Sequence, residues 1–394
     1  MVSTSVLKNS LAFRLILLMG VVSLFGDIIY EGARSVTGPY LLFLGASAFA
    51  VAFIAGFGEF IGYAARLVSG YFADRTQSYW IFVITGYLMI GAIPLLVFVQ
   101  AWEVAAVLII IERLGKGIRS PARDTILSHA SRQVGRGWGF GIHEALDQIG
   151  AVLGPLIFAV SIAVSGGYKE GFALLTLPFV FLIAALLVAY RNVPDPVLLE
   201  SGGFSQDPVE SDRLPLLMFP YGAFTVLTMV GFAVFPLIAY HLSAASVVPD
   251  TQIPVFYAIA MAADAFFALA IGRLYDRNGI SVLVVVPLVN IPIAFLAFSG
   301  GYYLVLAGSI LWGLSMGAQE TVLRAALADL TSIKKRGTAY GIFNTLYGGA
   351  WFAGSLVLGW LYEMNLQVLI AFSVFMQVAA LGAFVWLMKS VRAR

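Results

Sequence analysis

Four short stretches hold most of the ionisable side chains that could do chemistry in a chain of 394 residues, of which 11% are charged and 60% hydrophobic. "GDIIYEGAR" places Asp27, Tyr30, Glu31 and Arg34 at i, i+3, i+4 and i+7, one face of a helix. Glu59, Gly62, Tyr63 and Arg66 repeat that spacing, and Glu112, Lys116, Arg119 and Arg123 form a third stripe with Arg113 beside it. "GIHEALDQIGAVLGP" adds His143, Glu144 and Asp147 just ahead of Gly150, Gly154 and Pro155. Such sets can carry a proton, because desolvation and a nearby guanidinium push a carboxylate's proton affinity in opposite directions. Moving either one switches the proton on or off. The candidates for this role are Asp27, Glu31, Glu59, Glu112, Arg113, Glu144 and Asp147. The rest of the chain is thinner in charge, with Asp264, Glu320 and Arg324 standing alone in apolar surroundings.

The elements that must position these groups are apolar runs. A soluble domain averages about a quarter charged residues, far above this composition, and a membrane helix needs ~20 predominantly apolar residues. Hydropathy predicts twelve spans near 12–34, 48–71, 79–99, 102–123, 137–164, 170–190, 215–240, 254–275, 280–299, 303–327, 338–361 and 367–389. The N-terminus "MVSTSVLKNSLAFRLILLMG" has a weakly basic lead but no small-residue cleavage site, and reads as a retained first span. "RNVPDPVLLESGGFSQDPVESDRLP" is the one long polar stretch and has the proline, glycine and serine content of a linker. The predicted organisation is a first bundle over 1–191, a linker over 192–214 and a second bundle over 215–394.

Charge placement sets the expected orientation. Lys8, Arg75, Arg132, Arg136, Arg191, Arg213, Arg277, Lys334, Lys335, Arg336, Lys389, Arg392 and Arg394 fall in loops on one side; Lys169, with Arg34 at its margin, falls on the other. By the positive-inside rule both termini and the linker face the cytoplasm of a cell (inner) membrane. The absence of cysteine excludes disulfides and thiolate metal sites, and three scattered histidines do not make a metal site. No nucleic-acid surface, cofactor motif or nucleotide-binding Gly-x4-Gly-Lys-Ser/Thr loop is present, so ATP hydrolysis is not encoded here.

The two halves repeat each other. "GYFADR" (Gly70 to Arg75) is echoed by "GRLYDR" (Gly272 to Arg277), and the span around Gly141, Gly150 and Gly154 by the one around Gly341 and Gly354. Parallel six-span repeats belong to a secondary-transporter architecture, with the expected site near the bilayer midplane.

These residues resemble the major facilitator superfamily. Gly70, Asp74 and Arg75 match its loop motif Gly-x-x-x-Asp-Arg, without the trailing basic pair; Gly272, Asp276 and Arg277 match it in the second half. Arg113 and Gly117 match the Arg-x-x-x-Gly motif of span 4. Gly141, Gly150, Gly154 and Pro155 match the glycine signature of its antiporters, the drug and small-molecule branch, except that its last glycine is Phe158 here. The resemblance implies an all-α membrane fold of two pseudo-symmetric six-helix bundles, with these glycines and Asp-Arg pairs serving conformational change.

The expected activity is transport, not catalysis: a monomer in the lipid bilayer that exports a small amphipathic organic compound in exchange for H⁺. Proton handling is assigned to the first half. Substrate contacts are expected from Tyr30, Arg34, Tyr63, Lys116, His143, Trp312, Glu320, Arg324, Tyr347 and Trp351, with Phe224, Phe232, Phe256 and Tyr257 as further aromatic bulk. Proton symport of a metabolite, movement of a lipid-like substrate, coupling to another ion and a non-transporting sensor are the rivals. An intramembrane hydrolase finds no Ser/His/Asp motif in the sequence.

Overall fold

A computed structural model describes residues 4–199, 214–331 and 336–392. Most of the linker, together with Arg213, Lys334, Lys335 and Arg394, lies outside the described residues. Almost all of the described backbone is helical. Among the described residues, eight helical segments are long and apolar enough to cross a membrane. That is the physical outcome for such a sequence in hydrocarbon, where each backbone N–H and C=O must be satisfied within the protein.

The chain forms two compact units, Met1–Arg34 with Ile61–Ser205 and Ser35–Phe60 with Gln206–Arg394. The first unit contains most of α1 (Thr4–Phe43) and of α2 (Ala48–Thr76), then α3 (Tyr79–Met89), α4 (Trp102–Val134), α5 (Arg136–Ser165), α6 (Lys169–Leu174) and α7 (Thr176–Asn192). Small residues decide its closest packing. Carbon added at Gly154 would run into the Ile28 carbonyl oxygen of α1 and lie 2.8 Å from the Gly32 nitrogen; carbon at Gly150 would meet the Leu24 carbonyl and sit 2.9 Å from Asp27 Cβ. Helix α5 continues through Pro155 as one helix. Gly141, grouped with these glycines in sequence, faces open space.

The second unit holds α8 (Leu214–Val230), α9 (Phe235–Ala244), α10 (Ile253–Asn278), α11 (Val285–Ala297), α12 (Tyr302–Ala318), α13 (Arg324–Leu330), α14 (Arg336–Met364) and α15 (Leu366–Arg392). Residues 35–60 pack here. Gly38 fits against the backbone of Pro236 and Tyr240, Gly56 against Ser355, and Ala52 against Gly359. The first backbone turn of α2 is capped by Ser47, whose Oγ accepts from the Ala50 N–H at 3.2 Å, and by Glu363, whose Oε1 accepts from Phe49 N–H at 2.9 Å.

Several runs expected as single spans are not continuous α-helix. The run 215–240 breaks at Gly231–Val234 between α8 and α9. Pro236 cannot donate a backbone hydrogen bond, and a side chain at Gly231 would collide with Gln377 and Met376 at 2.7 Å. The run 79–99 tightens into 3₁₀ turns over Ile90–Ala92 and Pro94–Phe98, and 303–327 carries a π-helical turn over Gln319–Leu323. Hydropathy has no term for these breaks, since each segment is as apolar as its neighbours.

Replacing Gly154 by alanine forces a methyl group into the α1 backbone and is expected to lower stability by about 1–3 kcal/mol. Thermal unfolding of purified Gly154→Ala and Gly141→Ala checks this: the first midpoint falls and the second does not. Equal midpoints would reduce the glycine face to coincidence.

Candidate functional site

In the first unit, charged and polar side chains from four helices converge. Ser23 of α1 is their junction. Its Oγ lies 2.8 Å from His143 Nε2 of α5 and 3.1 Å from the Tyr87 hydroxyl of α3, and it accepts from Arg123 Nη1 of α4 at 3.4 Å. Arg123 also pairs with Asp124 at 2.9 Å and reaches Asp147 Oδ2 at 4.0 Å; His143 Nδ1 lies 3.6 Å from the same oxygen. Ser23, His143 and Asp147 thus stand in the order of a nucleophilic relay that sequence spacing does not reveal. Ser23 is 1% exposed, and its hydroxyl is committed to three helices, so it joins rather than attacks.

One turn further along α1, Asp27 feels the charges of Asp147, Lys116 and Glu31. Beside it the Tyr30 ring has Lys116 Nζ at 4.0 Å from its centroid, with the Arg113 and Arg119 guanidinium carbons at 5.5 and 5.7 Å. Arg119 also lies over Tyr87 at 4.8 Å. Cations above aromatic faces gain most where water is excluded, and Tyr30, Arg113 and Arg119 are all buried. Two ion pairs complete the cluster, Glu31 with Arg34 at 3.7 Å and Glu112 with Arg113 at 3.2 Å. Charges this deep need partners, since an isolated ion in a low-dielectric interior costs several kcal/mol.

The helical stripes read in sequence therefore place Asp27, Tyr30, Glu31, Arg34, Glu112, Arg113, Lys116, His143 and Asp147 together. Glu144 is exposed and accepts from Gln148 at 3.3 Å instead. Tyr63 carries Arg66 over its ring at 4.9 Å. Glu59 belongs to the stretch that packs in the second unit. Asp74, Arg75, Asp276 and Arg277 are exposed at helix ends, with Arg75 donating to the Tyr71 hydroxyl at 3.3 Å. Gly70 lies in ordinary contact with Pro121, and Gly272 with Thr321.

The second unit is organised by uncharged groups. Tyr347 donates to Gln319 Oε1 at 3.3 Å, Gln319 donates to Ser315 at 2.7 Å, and Ser315 donates to Asn290. Asn290 donates to Gln377 Oε1 at 3.2 Å, and Gln377 to the Thr228 carbonyl at 3.0 Å. This chain runs from α14 to the end of α8. It reaches the helix break, whose carbonyls are also capped: Ser373 donates to Gly231 O at 2.7 Å and Trp312 Nε1 to Ala233 O at 2.9 Å.

The aromatic residues expected to face substrate are packed against one another here. Trp312 stacks on Phe232 at 5.8 Å, and Trp351 contacts Phe232 and Tyr347 at 6.0 and 5.7 Å. Glu320 lies within the π-helical turn and Arg324 directly after it, and both are exposed. Asp264 is buried beside Gly317. Ser23, Tyr87, Asn290, Ser315, Gln319 and Gln377 were not singled out in the sequence. A lone amide in an apolar run was the available signal for three of them.

The sequence profile of the Major Facilitator Superfamily matches residues 16–292 and 221–394. The chain belongs to the major facilitator superfamily. An uncharacterized protein of Mycobacterium tuberculosis is 41% identical over 375 residues, 94% of this chain and 92% of that protein. An uncharacterized MFS-type transporter of Methanocaldococcus jannaschii is 26% identical over 358 residues, 88% of each. Solved structures share the fold. The nucleoside transporter NupG has a TM-score of 0.74 at 15% identity, covering 96% of this chain and 99% of that one. The peptide transporter POT in complex with sulfate has 0.74 at 14%, covering 96% and 94%. A bacterial homolog of the human lysosomal transporter Spinster has 0.67 at 14%, covering 95% and 94%. This superfamily member is therefore a multi-pass membrane transporter of small molecules and not an enzyme.

Ser23→Ala leaves a buried imidazole and phenol and a half-buried guanidinium facing an empty position. Each lost partner carries a penalty of about 1–3 kcal/mol, so the variant is expected to unfold at lower denaturant than wild type. Tyr87→Phe, which removes one contact, should fall between them. A Ser23→Ala midpoint at or above the Tyr87→Phe value would show that the hydroxyl is not the junction.

Proposed function

We propose that the protein is a proton-coupled exporter that exchanges H⁺ for a small amphipathic organic compound by alternating access. The observation that carries this reading is the buried cluster in which α5 seats against Asp27 of α1 at Gly150, with Asp147 one turn away on α5, Arg123 Nη1 4.0 Å from Asp147 Oδ2 and Lys116 Nζ 4.0 Å from the Tyr30 ring. One bound proton changes the balance between such carboxylates and the cations around them by a full charge. Displacing the lysine or an arginine by a helix shift changes which state is favoured. The coupling assignment extends to Glu31, Glu59, Glu112, Arg113 and Glu144 as groups that tune this set.

Exchange rather than symport is supported by the glycine signature Gly141, Gly150, Gly154 and Pro155, whose middle members seat α5 directly on α1. A helix that moves carries the Asp147–Asp27 relation with it. The substrate assignment to Tyr30, Arg34, Tyr63, Lys116 and His143 in the first half, and to Trp312, Glu320, Arg324, Tyr347 and Trp351 in the second, mixes charged and aromatic side chains, which suits an amphipathic compound; Trp312, Tyr347 and Trp351 are buried in aromatic packing and would contact it only after repacking. The halves 1–191 and 215–394, linked by 192–214 with both termini cytoplasmic, form the twelve-span, two-bundle unit of a monomer in the cell membrane. The superfamily neighbours that move nucleosides or peptides support a small organic substrate class.

The test is proteoliposome flux with an imposed pH gradient. Exchange predicts uptake into an acidic lumen that becomes more alkaline as substrate enters. Symport gives uptake into an alkaline lumen. Asp147→Asn and Asp27→Asn are each expected to abolish gradient-driven flux while retaining substrate binding and counterflow at equal pH. Full gradient-driven flux in both variants would remove these two carboxylates from the coupling mechanism.

A further inference from the structure

The first unit has a groove that the transport reading does not use. Helices α2 and α4 touch where Gly62 and Ala65 meet Gly117: a carbon added at Gly117 would strike the Gly62 carbonyl and lie 2.7 Å from Ala65 Cβ. Beside this contact the small side chains of α2 leave space bounded by α3 and α4. The cavity holds about 570 Å³ and runs from Ile61 to Phe72 along α2, with Phe82 and Ile118 among its walls. Its rim is open, as Val68, Phe72 and Ile81 are 58%, 47% and 65% exposed.

The chemistry of the lining selects the occupant. Ser69 and Thr85 carry the only hydroxyls in the wall. Ser69 turns its proton inward, to the Gly117 carbonyl at 3.1 Å or the Arg66 carbonyl at 3.4 Å. Ligand sites for polar compounds carry several placed hydrogen-bonding groups, and this wall offers almost none. Water does not fill an apolar cavity. Both α2 and the run Tyr79–Phe98 are apolar enough to lie in a bilayer, so the medium at the open rim is hydrocarbon. The eleven helical steps from Ile61 to Phe72 rise about 16 Å, which suits one extended acyl chain.

One end of the groove is marked for a headgroup. Tyr71 is 60% exposed, one residue before Phe72, and accepts a hydrogen bond from Arg75 Nη1 at 3.3 Å. Tyrosine and arginine at a helix end are interfacial residues, and a guanidinium fork matches a phosphate. Asp74 precedes Arg75 but is turned about 100° around the helix. We propose that this groove is a phospholipid site: one acyl chain lies along α2 between Ile61 and Phe72, and the phosphate of an anionic lipid rests on Arg75. The bound chain fills the α2–α3–α4 space and braces the Gly62–Gly117 contact.

Native mass spectrometry of purified protein, titrated with phosphatidylglycerol or phosphatidylcholine, tests this. Wild type is expected to retain one phosphatidylglycerol, bound about tenfold tighter than phosphatidylcholine, as one charge-assisted contact allows. Ala64→Phe fills the groove and should lose the retained lipid; Thr85→Phe, at the α3 side, does the same if the first variant is not monodisperse. Arg75→Gln should keep the chain and lose the headgroup preference. Unchanged lipid retention in the filled variants, equal affinity for the two lipids in wild type, or displacement of the lipid by a transported compound would each overturn the assignment.

Discussion

Helix α5 lies against α1 at a separation that only glycine permits, and the charged cluster depends on it. A Cβ at Gly150 or Gly154 would collide with the carbonyl oxygen of Leu24 or Ile28. In a bilayer there is no hydrophobic drive between helices, so close van der Waals approach must hold them together. Because the two backbones meet on this face, Asp147 and His143 arrive beside Asp27 and Ser23 rather than facing lipid. A methyl group at either glycine would separate the carboxylates from Lys116 as well as the helices from each other. Packing and electrostatics in the first unit are thus one constraint.

The second unit solves a different problem. An interrupted span leaves carbonyls without helical partners, at a depth where each unsatisfied group costs several kcal/mol. Gln377, Ser373 and Trp312 take the carbonyls of Thr228, Gly231 and Ala233, three donors from two other helices. Asn290 and Ser315 then satisfy Gln377 and Gln319 in turn. The π-helical turn over Gln319–Leu323 is met by tyrosines, with Tyr221 donating to Leu323 O at 2.7 Å and Tyr340 to Arg324 O at 3.0 Å. Each irregularity is thereby closed by the protein itself, as a chain in hydrocarbon requires.

Much of the charged site was legible because helical periodicity is a property of neighbours in sequence. Asp27, Tyr30 and Glu31 share a face by spacing alone, as do Glu112, Lys116 and Arg119, and the structure needed only to bring the faces together. What spacing could not show is which residue lies across the gap. Ser23 is an ordinary serine until His143, Tyr87 and Arg123 are seen around it. The helix break at Gly231 was hidden for another reason: hydropathy averages over about twenty residues, while the break depends on one glycine, one proline and partners more than a hundred residues away. A search for charge also passes over Asn290, Gln319 and Gln377, which carry none.

The contrast between the units bears on where a proton gradient can act. Amides, hydroxyls and carbonyls do not change charge between about pH 5 and 8, so the chain from Tyr347 to Thr228 keeps its hydrogen bonds whatever the proton activity. Carboxylates arranged around a lysine have no such immunity. Their favoured protonation follows the distance to each neighbouring charge, and that distance follows α5 on α1. On the proposed reading a gradient would act chiefly on the carboxylates of the first unit, through groups whose geometry and charge are linked. The amide chain of the second unit offers a frame whose shape is set by packing and by hydrogen bonds between uncharged groups. A proton-coupled transporter of the proposed kind would thereby separate the element that senses the proton from the element that keeps its form through the cycle.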